Sequence, residues 1–113
     1  MTVLAPIAPG WVDIGAVEDV PLRGARRVVT AKGAVAIFRT GDGRIFALTD
    51  QCPHKQGPLS QGIVHGHSVA CPLHGWVIDL ATGEPLGADA GKGCAPVVAV
   101  MVEDGRLFIP MGG

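Results

Sequence analysis

The stretch Cys71-Pro72-Leu73-His74-Gly75-Trp76 places a cysteine and a histidine three positions apart among residues that favour turns. A second pair, Cys52-Pro53-His54, begins the earlier stretch CPHKQGPLSQG. Together the pairs read Cys52-x-His54, sixteen intervening residues, and Cys71-x-x-His74. Two thiolates and two imidazoles form a ligand set that proteins use for metals. The sequence therefore predicts a metal centre built from two separate loops.

Each Cys/His pair follows a segment with the composition of a β-strand. Arg44–Thr49 leads to the first pair, and Ser68–Ala70 leads directly into the second. Two loops that follow strands can meet at one end of a sheet. We therefore expect the four ligands to converge at a single site.

The order of the ligands bears on which metal they hold. Two metal sites use two cysteines and two histidines, namely mononuclear zinc and a Rieske-type [2Fe-2S] cluster. Zinc fingers place both cysteines at one end of the motif and both histidines at the other, whereas here each loop supplies one of each. The alternating order suits a two-iron cluster, and zinc stays open as the alternative.

The rest of the chain is dominated by hairpin signals, and nothing longer than a turn looks helical. Ala34–Phe38 and Arg44–Thr49 flank one turn-rich segment. Val97–Val102 and Arg106–Ile109 flank another, which contains the Asp104-Gly105 pair that is favoured in tight hairpins. Further short strands are predicted at Val28-Val29, Ile63-Val64, Ser68–Ala70 and Trp76–Leu80. The pattern predicts an all-β fold.

Composition limits the class of protein. A chain of 113 residues, with 48% apolar and 17% charged residues, predicts one folded domain over residues 1–113. The net charge is −1, so neither nucleic acid nor a membrane surface is expected as a partner. The first residues do not resemble an export signal, and we expect a cytoplasmic protein. Three cysteines argue against a disulfide framework and leave Cys94 as a spare thiol.

The motifs CPH and CPLHGW, followed by Asp79–Gly83, resemble those of the Rieske [2Fe-2S] proteins, and more closely the Rieske-type ferredoxins than the respiratory-complex members. The resemblance extends from about Trp11 to Ile109. It implies an antiparallel β-sandwich with a cluster-binding subdomain formed by two loops, at about residues 50–62 and 70–79.

The resemblance also implies a role for each ligand. Cys52 and Cys71 would bind one iron through Sγ, while His54 and His74 would bind the other iron through Nδ1. The cofactor would be a Rieske-type [2Fe-2S] cluster. No catalytic residues are assigned, because the sequence contains no nucleophile-base pair, no pair of acid-base carboxylates and no dinucleotide fingerprint.

Longer phrases, including CPHKQGPLSQGIV and CPLHGWVIDLATGEPLGAD, are similar to the small subunit of assimilatory NAD(P)H-dependent nitrite reductase. This similarity implies a large-subunit partner with flavin, sirohaem and a further iron-sulfur cluster, and a role in reducing nitrite to ammonia. Two alternatives stay open: a Rieske-type ferredoxin of an aromatic-ring dioxygenase system, and a zinc-stapled or metal-free interaction module.

Residues near the ligands predict a low reduction potential. In high-potential members of the family each ligand loop carries an extra cysteine and a serine lies beside the second motif, whereas this chain has Gly57, Leu73 and Trp76 at those places. We expect a midpoint in the low part of the Rieske range of roughly −150 to +300 mV. Redox titration checks this, and a strongly positive midpoint would contradict it.

Four further side chains have expected environments. His65 and His67 lie between the two pairs and are expected to be exposed loop residues. Trp76 is expected either to shield the cluster from water or to belong to the core. Cys94 is expected to be a buried or half-exposed thiol.

Overall fold

A computed structural model describes residues 10–30, 33–52, 58–72, 75–87, 91 and 93–110. The strands of this part of the chain are β1 (Trp11–Ala16), β2 (Gly24–Thr30), β3 (Gly33–Arg39), β4 (Ile45–Thr49), β5 (Ile63–His65), β6 (Ser68–Ala70), β7 (Val77–Asp79), β8 (Met101–Glu103) and β9 (Arg106–Pro110). Two 3-10 turns, Val17–Asp19 and Leu59–Gln61, lie between these strands. No helix among these residues is long and apolar enough to cross a bilayer.

The strands form three antiparallel sheets of three strands each, with the orders β1-β9-β8, β2-β3-β4 and β5-β6-β7. The predicted all-β antiparallel sandwich is confirmed. The β2-β3-β4 sheet lies between two hydrophobic cores, because side chains along a strand point alternately to its two faces.

The alternation is clear along β3, which is buried on both faces. Ala36 and Phe38 belong to one core, which also contains the inner residues of the β5-β6-β7 sheet. Val35 and Ile37 belong to the other core, together with Leu107 and Ile109 of β9. The central sheet therefore supports β5-β6-β7, the sheet from which the second predicted ligand loop extends.

The predicted hairpins β3-β4 and β8-β9 are both present. In the β8-β9 turn, Asp104 has φ 51° and Gly105 has φ 75°. Positive φ at both central residues is the backbone that a tight two-residue hairpin requires, and the Asp-Gly pair tolerates it.

The prediction of one strand over Val97–Val102 is wrong in its first four residues. Only Met101 and Val102 belong to a strand, whereas Val97 makes a single bridge to Leu48 and the Val98 amide donates to the Ala47 carbonyl. This segment first pairs with the free edge of β4 and then crosses to the β1-β9-β8 sheet. An apolar run cannot reveal this change of partner, because it does not show with which strand each of its residues will pair.

Two strands are longer than the sequence indicated. β1 covers Trp11–Ala16, where no strand was predicted, and β2 covers Gly24–Thr30 rather than Val28-Val29 alone. Neither segment, WVDIGA or GARRVVT, alternates cleanly between apolar and polar residues, so the pattern of a half-buried strand is not visible in the sequence. Pairing with β9 and β3, rather than composition, fixes their extent.

Candidate metal centre

The two cysteines predicted to be ligands lie in the same hydrophobic core. Cys52 follows β4 by three residues, and Cys71 directly follows β6. Their exposed fractions are 1% and 3%, and both belong to the core between the central sheet and β5-β6-β7. Two cysteines that are distant in the sequence thus lie at the starts of two loops and share one core.

The two predicted histidine ligands, His54 and His74, lie outside the described residues. Their convergence with Cys52 and Cys71 stays a prediction from the sequence. Pro53, Gly57 and Leu73 lie outside the described residues as well.

The second predicted ligand loop is the short connection between β6 and β7. A hydrogen bond joins the two ends of this loop, because the Cys71 amide donates to the Trp76 carbonyl at 2.7 Å. This bond directly follows Ala70 and Val77, which are register partners in β6 and β7. Gly75 has φ 70°, a left-handed backbone that glycine adopts without a steric cost. Trp76 is half-buried and packs against the core that contains both cysteines, which agrees with either expected environment.

Gly62 brings the end of the first loop close to the start of the second. A Cβ atom at this position would clash with the Ala70 carbonyl oxygen and would lie 2.8 Å from Val69 Cγ2. Ala70 immediately precedes Cys71. Only a residue without a side chain allows this approach, and the sequence showed merely a glycine in a turn-rich segment.

The outer face of the β5-β6-β7 sheet carries a line of apolar side chains beside both loops. Ile63, Ala70 and Val77 are register partners, and the Leu86 amide donates to the Val77 carbonyl at 2.8 Å. These four residues are called the apolar row. Ile63 is 71% exposed and Leu86 is 42% exposed. The row was not predicted, since it is formed by residues from separate short segments.

Both histidines between the ligand pairs are exposed as predicted, although His65 is the last residue of β5 rather than a loop residue. His67 lies in the turn that follows and has a partner. Its Nε2 lies 2.9 Å from Asp42 Oδ2, and the Leu80 amide donates to its carbonyl at 2.9 Å. The Thr40 hydroxyl donates to Asp42 Oδ1. The Thr40 hydrogen bond first, and His67 second, lower the pKa of Asp42 from 3.8 to about 2. The pair joins the β3-β4 turn to the β5-β6 turn.

The lowered pKa of Asp42 predicts that the effect of Asp42→Asn on stability depends on pH. Because the pKa of Asp42 is lower in the folded chain, the unfolded chain binds more protons between about pH 4 and 2, and the wild type loses this stabilisation as the pH falls. The stability advantage of wild type over Asp42→Asn should be full at about pH 5 and should shrink toward pH 2. Urea unfolding of both proteins across this range measures it. A constant difference would contradict the assignment.

Cys94 is exposed, which differs from the buried or half-exposed position expected for it. It directly precedes Ala95, which is fully buried and whose amide donates to the Gly83 carbonyl at 2.7 Å. The backbone is held inward at Ala95, and the preceding side chain points to solvent. Ala95 belongs to the core that contains Cys52 and Cys71, whereas Cys94 itself is exposed and is not part of that core.

The donor chemistry of the site fits an iron-sulfur cluster. Two cysteine sulfurs buried in one core provide the soft ligands that iron-sulfur and zinc centres both use. Their positions on two different loops leave each loop able to supply a histidine as well. This arrangement matches a cluster held from two sides better than a zinc site made by one compact motif.

Comparison with known proteins agrees with this interpretation of the site. Residues 10–100 match the family model described as the Rieske [2Fe-2S] domain. The chain is 32% identical to the anthranilate 1,2-dioxygenase ferredoxin subunit of Burkholderia cepacia over 90% of this chain and 93% of that protein.

Solved structures give two kinds of neighbour. One neighbour is a chain from the complex of reduced oxygenase and oxidized ferredoxin in carbazole 1,9a-dioxygenase. It has a TM-score of 0.78 and 28% identity, and the match covers 91% of this chain and 94% of that chain. Another is a Mycobacterium tuberculosis protein provisionally identified as an NADH-dependent nitrite reductase small subunit, with a TM-score of 0.78, 25% identity and coverage of 88% and 92%. The chain is thus similar both to dioxygenase ferredoxins and to nitrite reductase small subunits.

Proposed function

Since the chain belongs to the Rieske [2Fe-2S] domain family, we propose that it transfers electrons as the small subunit of an NAD(P)H-dependent nitrite reductase. Membership of the family makes it an electron-transfer domain with a Rieske-type [2Fe-2S] cluster as cofactor. Such a cluster supplies one-electron transfer when it is bound. The observation that carries the electron-transfer part of this proposal is the burial of Cys52 and Cys71 in one core at the starts of two loops.

The proposed ligands are the four residues of the paired motifs. Cys52 and Cys71 would hold one iron through Sγ, and His54 and His74 would hold the other through Nδ1. The burial of both cysteines supports this proposal, because a low-dielectric environment keeps water from the sulfur ligands. Trp76 would cover the same core from its open side.

The nitrite reductase assignment has its own support. The sequence around both motifs is similar to that small subunit. The fold of this chain is also similar to that of the Mycobacterium tuberculosis protein. In this proposal the partner is a large subunit with flavin, sirohaem and a further iron-sulfur cluster, and nitrite is reduced to ammonia there in the cytoplasm. The small chain performs no chemistry on nitrite by itself.

A second candidate is the ferredoxin of an aromatic-ring dioxygenase system. It is favoured by the 32% identity to the anthranilate dioxygenase ferredoxin over nearly the whole of both chains. The same cluster and the same four ligands would serve either partner. The two candidates therefore differ only in the protein that receives or donates the electron.

Reconstitution separates the candidates. The chain is purified with its cluster and added to a sirohaem-containing large subunit supplied with NADH or NADPH, and nitrite loss and ammonia formation are followed. Dependence of nitrite reduction on this chain supports the proposal, and a Cys71→Ala chain serves as the control without a cluster. Electron delivery to a dioxygenase oxygenase, with no effect on nitrite, would support the second candidate instead.

Metal analysis tests the third possibility, a zinc-stapled or metal-free interaction module. Equal amounts of iron and acid-labile sulfide in a brown protein exclude it. A colourless protein with one zinc ion would contradict the cluster and both electron-transfer candidates.

The apolar row is the surface that we propose the large subunit covers. It lies beside both ligand loops, because Gly62 precedes Ile63 and Cys71 follows Ala70. Its neighbours on the same face, His65, Ser68 and Asp79, are polar. An apolar centre with a polar rim is the usual composition of a protein interface.

Ile63→Lys is expected to weaken this docking. A charged side chain at the β5 end of the row, where its most exposed member lies, should lower the rate of electron exchange at limiting partner concentration by about tenfold, as for an interface residue that contributes to binding. The visible spectrum should not change, since Ile63 is largely exposed. Stopped-flow absorbance with increasing large subunit measures the rate.

The matched control is Val102→Lys on β8, where Val102 is 47% exposed in a different sheet. It introduces the same charge away from the ligand loops and should leave the rate unchanged. Equal rates for Ile63→Lys and wild type would remove the apolar row from the proposed interface.

A further inference from the structure

The first ligand loop is closed at its base by a buried carboxylate that the sequence did not single out. Asp50 lies between β4 and Cys52, and its side chain has no exposed surface. Its Oδ1 accepts a hydrogen bond from the Ser60 amide at 2.7 Å, and its Oδ2 accepts one from the Ser60 hydroxyl at 2.6 Å. One side chain thereby joins the two ends of a segment that contains Cys52 and His54.

Asp50 also supplies a cap that the local sequence cannot supply. Ser60 is the middle residue of the 3-10 turn Leu59–Gln61, and the residue before this turn, Pro58, makes no side-chain capping bond. Amides in the first turn of a helix need an acceptor from outside the helix. The Asp50 carboxylate provides that acceptor from a position ten residues earlier in the chain.

A third contact of Asp50 connects the base of the first loop to the central sheet. Arg27 of β2 places Nε 3.3 Å from Asp50 Oδ2, with 59% of the arginine side chain exposed. A buried charge is tolerated when it is paired and hydrogen-bonded, and Asp50 meets both conditions. The loop base is therefore fixed to β4 by the chain, to the 3-10 turn by two hydrogen bonds, and to β2 by an ion pair.

We propose that Asp50 is the positioning residue of the first ligand loop, which holds Cys52 in place for the cluster by bonding both ends of the loop together. This inference rests on the proposed electron-transfer function, since it assigns a role toward the cluster. Ordering a loop in advance lowers the conformational entropy that cluster binding would otherwise have to overcome. Replacement of Asp50 should therefore increase the rate of cluster loss under conditions in which the domain is still folded.

The test measures how fast the holoprotein loses its cluster to an iron chelator under conditions where circular dichroism shows the chain to be folded. Asp50→Ala should lose the cluster about tenfold faster or more, since hydrogen bonds to a charged group are removed. Ser60→Ala removes one of the two bonds and should lose the cluster about threefold faster. The electron paramagnetic resonance spectrum of reduced Asp50→Ala should broaden, because Cys52 is held less uniformly.

Two further variants separate positioning from general stability. Asp50→Asn has the same size, and its amide can accept from the Ser60 amide and donate to the Ser60 hydroxyl, so it should restore a rate within about threefold of wild type. Asp13→Ala is the matched control: it removes an aspartate that also pairs with an arginine, Arg106 at 2.9 Å, but on the β1-β9-β8 sheet. Its cluster loss should equal that of wild type.

The inference is overturned if the folded Asp50→Ala protein keeps its cluster as long as wild type with an unchanged spectrum, and the proposed function would then still stand. It is also overturned if Asp13→Ala accelerates the loss equally, because the effect would be general destabilisation. If Asp50→Ala does not fold, Ser60→Ala decides by the same two readouts. A wild type that takes up no iron overturns the proposed function itself, and this inference with it.

Discussion

Cys71→Ala is expected to give a colourless protein with no iron and no acid-labile sulfide. The replacement removes one of the two thiolates proposed to hold a single iron, and one remaining cysteine cannot retain it. The chain should also unfold at a lower urea concentration, because the cluster is proposed to join the two loops and metal binding adds to folding free energy. Visible absorption, iron and sulfide analysis and urea unfolding provide the measurements. His54→Ala is expected to behave in the same way.

Cys94→Ala is the matched control for this prediction. Cys94 is exposed, whereas Cys71 is buried in the core shared with Cys52. Removal of the Cys94 thiol should leave the visible spectrum and the iron content unchanged. Loss of the cluster in Cys94→Ala but not in Cys71→Ala would show that the proposed ligand set is wrong.

Gly62→Ala is expected to separate the two ligand loops and to prevent stable cluster binding. The added methyl group would clash with the Ala70 carbonyl oxygen and crowd Val69, so the end of the first loop must move away from the start of the second. Overpacking of this kind costs about 1–3 kcal/mol of unfolding free energy. Iron content and cluster lifetime should therefore fall sharply while much of the β fold remains.

Gly66→Ala separates this steric effect from an ordinary loss of stability. Gly66 lies in the β5-β6 turn with φ 57°, and a Cβ atom added there would meet no other described atom within 4 Å. Its replacement should cost about 1–2 kcal/mol through backbone strain alone. The two variants can then be compared at similar stability, and only Gly62→Ala should lose the cluster. Full iron content in Gly62→Ala would refute the role of this close approach.

The sequence alone predicted the features that depend on neighbouring residues. The hairpin turn at Asp104 and Gly105 follows from the backbone that these two residues tolerate, and the structure has positive φ at both. The paired spacing of Cys52, His54, Cys71 and His74 predicted the kind of centre, and the family match agrees with that prediction. Ligand type and spacing are properties of short segments, so they can be read before the fold is known.

Only the tertiary structure identified the contacts that position the first loop and bring it to the second. Asp50 meets Ser60 and Arg27, and Gly62 meets Ala70, across separations that no local pattern encodes. The change of partner between Val98, which bonds to β4, and Met101, which pairs with β9, was hidden for the same reason. Hydrogen-bond partners and close approaches between distant segments depend on how the sheets pack, and that packing is decided by the whole chain at once.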